Sequence, residues 1–217
     1  MKTNFLFVFS FLALPVFGQN ADSLAVVREV DSLIWVSDNF TIQGAFEEAL
    51  EVNTVAEKIA LERFGPESAV YGGCCYNRGT VLASQGDNLQ AIKWYLEAKT
   101  IFGKALGEEH LHYAFCLNNL GNIYQEMGDY EKAESLYLDS KAILEKAPGK
   151  EHPYYGNSLI GLANLYLELG NYEKAKLLLL EAKAILEKAL GKEHPYYATI
   201  LNNLANMYMG MGDYEKA

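Results

Sequence analysis

Gly44, Gly86, Gly128, Gly170 and Gly212 stand 42 residues apart each time, and an alanine follows every one of them five positions on. A period of about 20 to 50 residues marks chains that stack one supersecondary unit repeatedly, because a single unit cannot bury its own apolar face. The 217 residues are therefore read as one elongated body rather than as ordinary globular domains. Function is to be sought on a surface, not in a pocket.

Aligned at this period, the segments Tyr76-Asn-Arg-Gly-Thr-Val-Leu, Asn118-Asn-Leu-Gly-Asn-Ile-Tyr, Ile160-Gly-Leu-Ala-Asn-Leu-Tyr and Asn202-Asn-Leu-Ala-Asn-Met-Tyr coincide. Gly79, Gly121, Ala163 and Ala205 form a small-residue column, expected where two helix backbones approach closely. Leu117, Leu120, Ile123 and Tyr124 follow helical spacing, which defines a helix A. Helix A is expected to stop at Gly86, Gly128, Gly170 and Gly212, the residue type that accepts the left-handed conformation past a helix end. Asp87, Asp129, Asn171 and Asp213 then cap a helix B, which carries Ala133, Leu136, Tyr137 and Ile143, or Ala175, Leu178, Leu179 and Ile185. It ends near Gly107, Gly149 or Gly191, and Pro153 and Pro195 sit where a first-turn proline is tolerated. Each unit is an αα-hairpin, and the fold class expected is all-α, a right-handed superhelical solenoid of antiparallel helix pairs.

The Leu-Gly-x-x-Tyr core around Gly121, Gly-Asp-Tyr-Glu-Lys-Ala from Gly128 and Gly-Lys-Glu-His-Pro from Gly149 and Gly191 resemble tetratricopeptide repeats of the kinesin light chain type. The common unit of that family is about 34 residues, and the additional residues here amount to about two helical turns. The resemblance covers residues 22–217, with units at about 22–64, 68–106, 110–147, 153–190 and a truncated 195–217. It weakens toward the N-terminus, where Arg78 replaces a packing leucine and Asn88 a tyrosine, as suits a capping repeat. After Gly212 no helix B follows, so the chain is expected to be the front part of a longer protein.

Residues 1–18 read as a secretory signal: Lys2, an apolar run from Phe5 to Leu14, then Pro15, Val16 and Gly18. The run is too short for a membrane anchor, and the product is expected to be exported, periplasmic or secreted, without membrane insertion after cleavage. Loss of Lys2 would move the formal charge from −10 to −11, because residues 1–18 contain no acid. Nucleic acid and anionic membranes are disfavoured partners, since lysine and arginine alternate with glutamate rather than cluster. Cys74, Cys75 and Cys116 make no disulfide framework. Cys74 and Cys116 are equivalent positions on neighbouring helices, about 8 to 10 Å apart where bridging needs less than about 7 Å. A diagonal Cys75–Cys116 bond stays open; otherwise all three are expected buried or shielded.

His112 and Cys116 share a helix face at i, i+4, a spacing that suits a nucleophilic pair. Tyr154 and Tyr196 fill the first column, however, and Ser158 and Ile200 the second, so both are packing positions. His110, His152 and His194 recur once per repeat and cannot converge on one ion; they are expected to close the turn into helix A. No catalytic residue, metal or cofactor is expected. The more specific signal is a set of asparagines, poor helix formers, inside helix A: Asn77, Asn118, Asn119, Asn122, Asn164, Asn202, Asn203 and Asn206. The family resemblance implies that such positions line a concave groove whose amides grip an extended peptide. The alternative is that they bond between adjacent A helices and only stiffen the stack. Helix A carries no lysine or arginine across 110–127, 153–169 and 195–211, which argues against a clamp for a C-terminal carboxylate. A neutral or basic extended segment of a protein partner is expected, and no small-molecule substrate. In bacteria, similar exported arrays precede a caspase-like peptidase or a histidine kinase, so a regulatory region of a larger enzyme or sensor is the alternative function.

Overall fold

The computed structural model describes residues 21–213; the expected signal at 1–18 lies outside them. Among the described residues are nine α-helices and no strand, so the all-α expectation holds. They run as α1 (Ala21–Gln43), α2 (Phe46–Phe64), α3 (Ala69–Gln85), α4 (Asn88–Leu106), α5 (Leu111–Glu126), α6 (Tyr130–Leu144), α7 (Pro153–Glu168), α8 (Tyr172–Leu190) and α9 (Pro195–Gly210). The odd-numbered helices are A and the even-numbered B. Two compact units divide between Glu108 and Glu109: unit 1 holds α1 to α4 and unit 2 holds α5 to α9. Within each unit every B helix packs on its own A helix, α2, α6 and α8 also pack on the A helix that follows, and consecutive A helices touch.

The punctuation follows from the repeat. Gly44, Gly86, Gly128, Gly170 and Gly212 all have positive φ, between 70° and 91°, where a side chain would be strained. Asp87, Asp129 and Asn171 then accept the backbone N–H three residues on, at 3.1, 3.2 and 3.3 Å. The alanine five positions after each turn glycine, at 49, 91, 133 and 175, is wholly buried, because helix B meets helix A there without room for more. The α6 helix stops at Leu144, while α4 and α8 continue to Leu106 and Leu190. Pro148 stands in that leucine column and supplies no N–H, so a wide turn over Glu145–Gly149 replaces the last helical turn.

The small column works differently from the sequence expectation. A Cβ on Gly79 would lie 2.9 Å from the Tyr95 ring, and one on Gly121 would lie 2.9 Å from the Tyr137 ring. A tyrosine ring of the paired B helix, not a neighbouring backbone, demands the glycine. Where the B helix carries Leu179 in place of tyrosine, helix A carries Ala163, and both are fully buried.

Cys74, Cys75 and Cys116 are buried and none forms a disulfide, which excludes the diagonal Cys75–Cys116 bond. Burial pushes the Cys75 thiol up to about 12, so it packs as a neutral group. Among the described residues no helix is long and apolar enough to cross a membrane.

Candidate functional site

Three 42-residue columns of helix A hold the asparagines, and they differ in where they point. The first holds Tyr76, Asn118, Ile160 and Asn202. Its first three members are buried at 4 %, 8 % and 6 % exposure, so it faces packing rather than solvent. Asn118 is therefore interior, its Oδ1 3.3 Å from where a Gly161 side chain would start; Asn202, on α9, is exposed. The second column runs Trp35, Asn77, Asn119, Gly161 and Asn203; the third runs Asp38, Thr80, Asn122, Asn164 and Asn206.

These two columns meet across consecutive A helices. In unit 1, Asn77 Nδ2 donates to Asp38 Oδ1 at 2.7 Å, and in unit 2, Asn203 Nδ2 donates to Asn164 Oδ1 at 2.7 Å; both pairs are 39 residues apart. The stiffening role envisaged for the asparagines is thus physically present at these two links. Asn77 goes further inward than a groove residue. It is 2 % exposed, and its Oδ1 accepts from Ser37 Oγ at 2.9 Å and from Asn53 Nδ2 at 2.8 Å, leaving no amide group to offer outward. Asn53 also donates to the Cys74 carbonyl at 2.9 Å, which fixes the direction of the chain of bonds. Asp38, at 3 % exposure, is pushed up to about 7 by burial, against which the Asn77 bond pulls down.

In unit 2 the amides reach solvent. Asn122 and Asn206 are exposed, and Asn119, Asn164 and Asn203 half-buried. The third-column Asn122 cannot be held by its neighbour on α7, because that neighbour is Gly161. The Tyr137 hydroxyl of α6 holds it instead, donating to Asn122 Oδ1 at 2.6 Å with Gln125 Oε1 at 2.9 Å. In unit 1 the equivalent Tyr95 hydroxyl donates to Thr80 Oγ1 at 3.0 Å. These tyrosines were not singled out as site residues from the sequence. The signal lay in the B-helix column Asn53, Tyr95, Tyr137 and Leu179, visible once helix B is aligned as closely as helix A.

The face is also defined by charge. Helices α5, α7 and α9 contain no lysine or arginine, and their only acids are Glu126 and Glu168 at the ends of α5 and α7. The lysines of unit 2 sit on B helices and loops, where Lys146 and Lys188 pair with Glu109 and Glu151 at 2.7 and 2.8 Å.

His110 and His152 cap α5 and α7, each Nδ1 accepting a backbone N–H, at 3.3 and 3.2 Å, the turn-closing role expected of them. An accepting Nδ1 requires the neutral ring, and burial lowers both pKa values accordingly. His112 is buried beside His110 and falls to about 3, from burial first and the neighbouring ring second. It packs near Phe115, with ring centroids 6.0 Å apart, as the column reading expects. Among the described residues no three His, Cys, Asp or Glu side chains gather as metal ligands.

Two family models described as tetratricopeptide repeat match the chain, one over residues 73–146 and 117–188 and the other over 198–217. The chain belongs to the tetratricopeptide repeat family. No curated protein sequence matches it. Among solved structures it is similar to BtubC (BKLC) from P. vanneervenii, at 22 % identity and a TM-score of 0.75, covering 90 % of this chain and 78 % of that one. It is also similar to the nearly identical TPR-like repeats of a Podosopora anserina chain assigned as a kinesin light chain, at 24 % identity and a TM-score of 0.68, covering 88 % and 90 %. The apo form of RapI matches at 18 % identity and a TM-score of 0.65, over 86 % of this chain and 50 % of that one. These likenesses establish the fold, an all-α repeat solenoid like that of the kinesin-light-chain repeats it matches. With the family match they make this chain a protein-interaction scaffold.

Proposed function

We propose that this tetratricopeptide chain is exported and that the A-helix face of unit 2 receives an extended, neutral or basic segment of a protein partner. The observation that carries the reading is the row of carboxamides on α5, α7 and α9, on helices that hold no lysine or arginine. A carboxamide donates and accepts at once, which suits the alternating N–H and C=O groups of an extended backbone. The formal charge of −10, with Glu126 and Glu168 bordering the row, favours a basic segment over an acidic one. Asn77 and Asn118 support the scaffold from inside, Asn202 shares the packing column of Asn118, and the contact set is Asn119, Asn122, Asn164, Asn203 and Asn206.

The test replaces Asn119, Asn122 and Asn206 together by alanine and measures capture of partners from the exported fraction. Three neutral hydrogen bonds at about 1 kcal/mol each correspond to a loss of roughly 100-fold in affinity, with helical circular dichroism unchanged. Undiminished capture refutes the reading; loss of helix assigns the three asparagines to the scaffold alone. Export is tested by fusing residues 1–20 to a reporter that is active only outside the cytoplasm, and an inactive reporter overturns it.

A further inference from the structure

Asn122 is the exposed amide that α5 brings to the unit 2 face, and its two ends are not equivalent. We infer that Tyr137 is its positioning residue: the buried hydroxyl pins the carbonyl end of Asn122 inward, so that the NH2 end is presented to the groove as a donor for a backbone carbonyl of the bound segment. The inference rests on the peptide-face reading above and adds the direction in which one of its contacts is made.

The geometry gives two ways of holding a third-column amide. Asn164 is held sideways, by Asn203 from the next A helix at 2.7 Å. Asn122 is held from beneath, by Tyr137 at 2.6 Å. The choice between them is fixed by volume. A Cβ at Gly161, the position equivalent to Asn203, would lie 2.8 Å from the Tyr137 ring, so at this site the ring as placed leaves no room for an asparagine on α7. Tyr137 also occupies the space over Gly121, where a Cβ would lie 2.9 Å from its ring. In the following repeat the same three positions read Ala163, Leu179 and Asn203. Asn122 therefore has the tyrosine device without the sideways one, and Asn164 the sideways device without the tyrosine. Burial, with Glu168 and Glu126 nearby, holds the Tyr137 phenol in its protonated form, so it remains a donor. A hydroxyl has one proton, and the nearer acceptor is Asn122 Oδ1; Gln125 Oε1 takes the weaker branch. Asn122 Nδ2 carries two hydrogens, and among the described residues it reaches Asn119 Oδ1 with one of them, at the long distance of 3.5 Å, which leaves the other for a ligand.

The probe is a library of random linear peptides displayed on phage, selected on the full chain, with one recovered peptide synthesised for titration. Tyr137→Phe, which removes one oxygen and keeps the ring, is expected to weaken that peptide about 10-fold, the value of one oriented hydrogen bond. Tyr95→Phe, the equivalent change in unit 1, is expected to leave it unchanged. The triple change Gly121→Ala, Tyr137→Leu, Gly161→Asn installs the sideways device and is expected to restore affinity to within about 3-fold of the original. A second readout needs no ligand: the side-chain NH2 resonances of Asn122 in a 15N spectrum should shift and exchange faster with water in Tyr137→Phe. Unchanged affinity in Tyr137→Phe, or equal weakening in the triple variant, overturns the inference. If the library yields no peptide, the face reading fails, and unshifted Asn122 resonances then overturn the pinning separately.

Discussion

In unit 1 the polar link between consecutive A helices is a buried carboxylate, Asp38, held by Asn77 at 2.7 Å; in unit 2 it is a pair of half-buried amides, Asn164 and Asn203, at the same distance. The position in the repeat is the same, and its chemistry is opposite. A neutral amide at a half-buried site costs little to desolvate, while a carboxylate at 3 % exposure does so only by taking up a proton near pH 7. Unit 2 holds its ionisable burden elsewhere, in His112, which burial keeps neutral down to about pH 3. One unit therefore gains from acid what the other loses. A repeat fold conserves shape from unit to unit and leaves the charge state of each joint to the local side chains.

The largest way to break this comparison is to remove the joint itself. Asn77→Leu strips Asp38 of its donor and leaves one Asn53 N–H short of an acceptor, both in the interior, while Ser37 keeps the Ala49 carbonyl; the cost is about 3 kcal/mol. Asn203→Leu removes one bond at a half-buried site and costs about 1 kcal/mol. Hydrogen exchange by mass spectrometry in increasing urea reports both, since peptides from α1 to α4 read unit 1 and peptides from α5 to α9 read unit 2. Equal losses from the two substitutions would show that the buried network contributes no more than the exposed pair.

Acid sharpens the contrast. The folded pKa of Asp38 lies above its unfolded value, so folded unit 1 binds the extra proton and its stability rises as pH falls from about 7 toward 4. The folded pKa of His112 lies below its unfolded value of about 6.5, so unit 2 loses stability as pH falls through that value toward 3. Between pH 7.5 and 5 each effect is about 2 kcal/mol, of opposite sign. Hydrogen exchange by mass spectrometry at matched intrinsic rates should therefore show slower opening in α1 and α3 at pH 5 and faster opening in α5. Asp38→Asn converts the unit 1 joint into the amide pair of unit 2; it should raise stability at pH 8 and abolish the gain on acidification. A pH-dependent gain that survives in Asp38→Asn would place its source in another group.

The shared feature, a B-helix side chain laid over a small A-helix residue, gives a smaller effect. Gly121→Ala drives a Cβ against the Tyr137 ring and should cost about 1 to 2 kcal/mol, while in a Tyr137→Leu background, which copies Ala163 with Leu179, the cost should vanish. A double-mutant cycle by thermal unfolding measures the coupling, and additive costs would mean that the two positions adapt independently.

The helix pairs were legible because their punctuation is local: Gly128 ends one helix and Asp129 caps the next within two residues, and the period repeats the message. The asparagine face was legible only in part. Asn77 and Asn119 look alike in sequence, yet Asn77 is interior, because Asn53 and Asp38 reach it from two other helices. Asn118 belongs to a packing column whose other members, Tyr76 and Ile160, show its true facing better than its own chemistry does. Tyr137 was read as an apolar residue of helix B, which its ring is; its hydroxyl acts across helices, and a single-helix pattern carries no trace of that. The same holds for Pro148, one substitution in a leucine column that shortens α6.

The smallest difference is expected where both units are built alike. Lys104 pairs with Glu67 in unit 1 at 3.1 Å, and Lys146 and Lys188 pair with Glu109 and Glu151 in unit 2 at 2.7 and 2.8 Å, each pair 37 residues apart. The regularity invites the view that these ties staple the repeats. Their side chains are 62 to 83 % exposed, however, and at such sites the Coulomb gain is screened while two long side chains lose freedom. Replacing all three lysines by glutamine should leave the unfolding midpoint of either unit unmoved at physiological salt. Any shift should appear only at low ionic strength and equally in both units, because neither buries its pairs. A salt-independent drop confined to unit 2 would show that periodic exposed pairs act there as a network, and the contrast between the units would then extend from their interior to their surface.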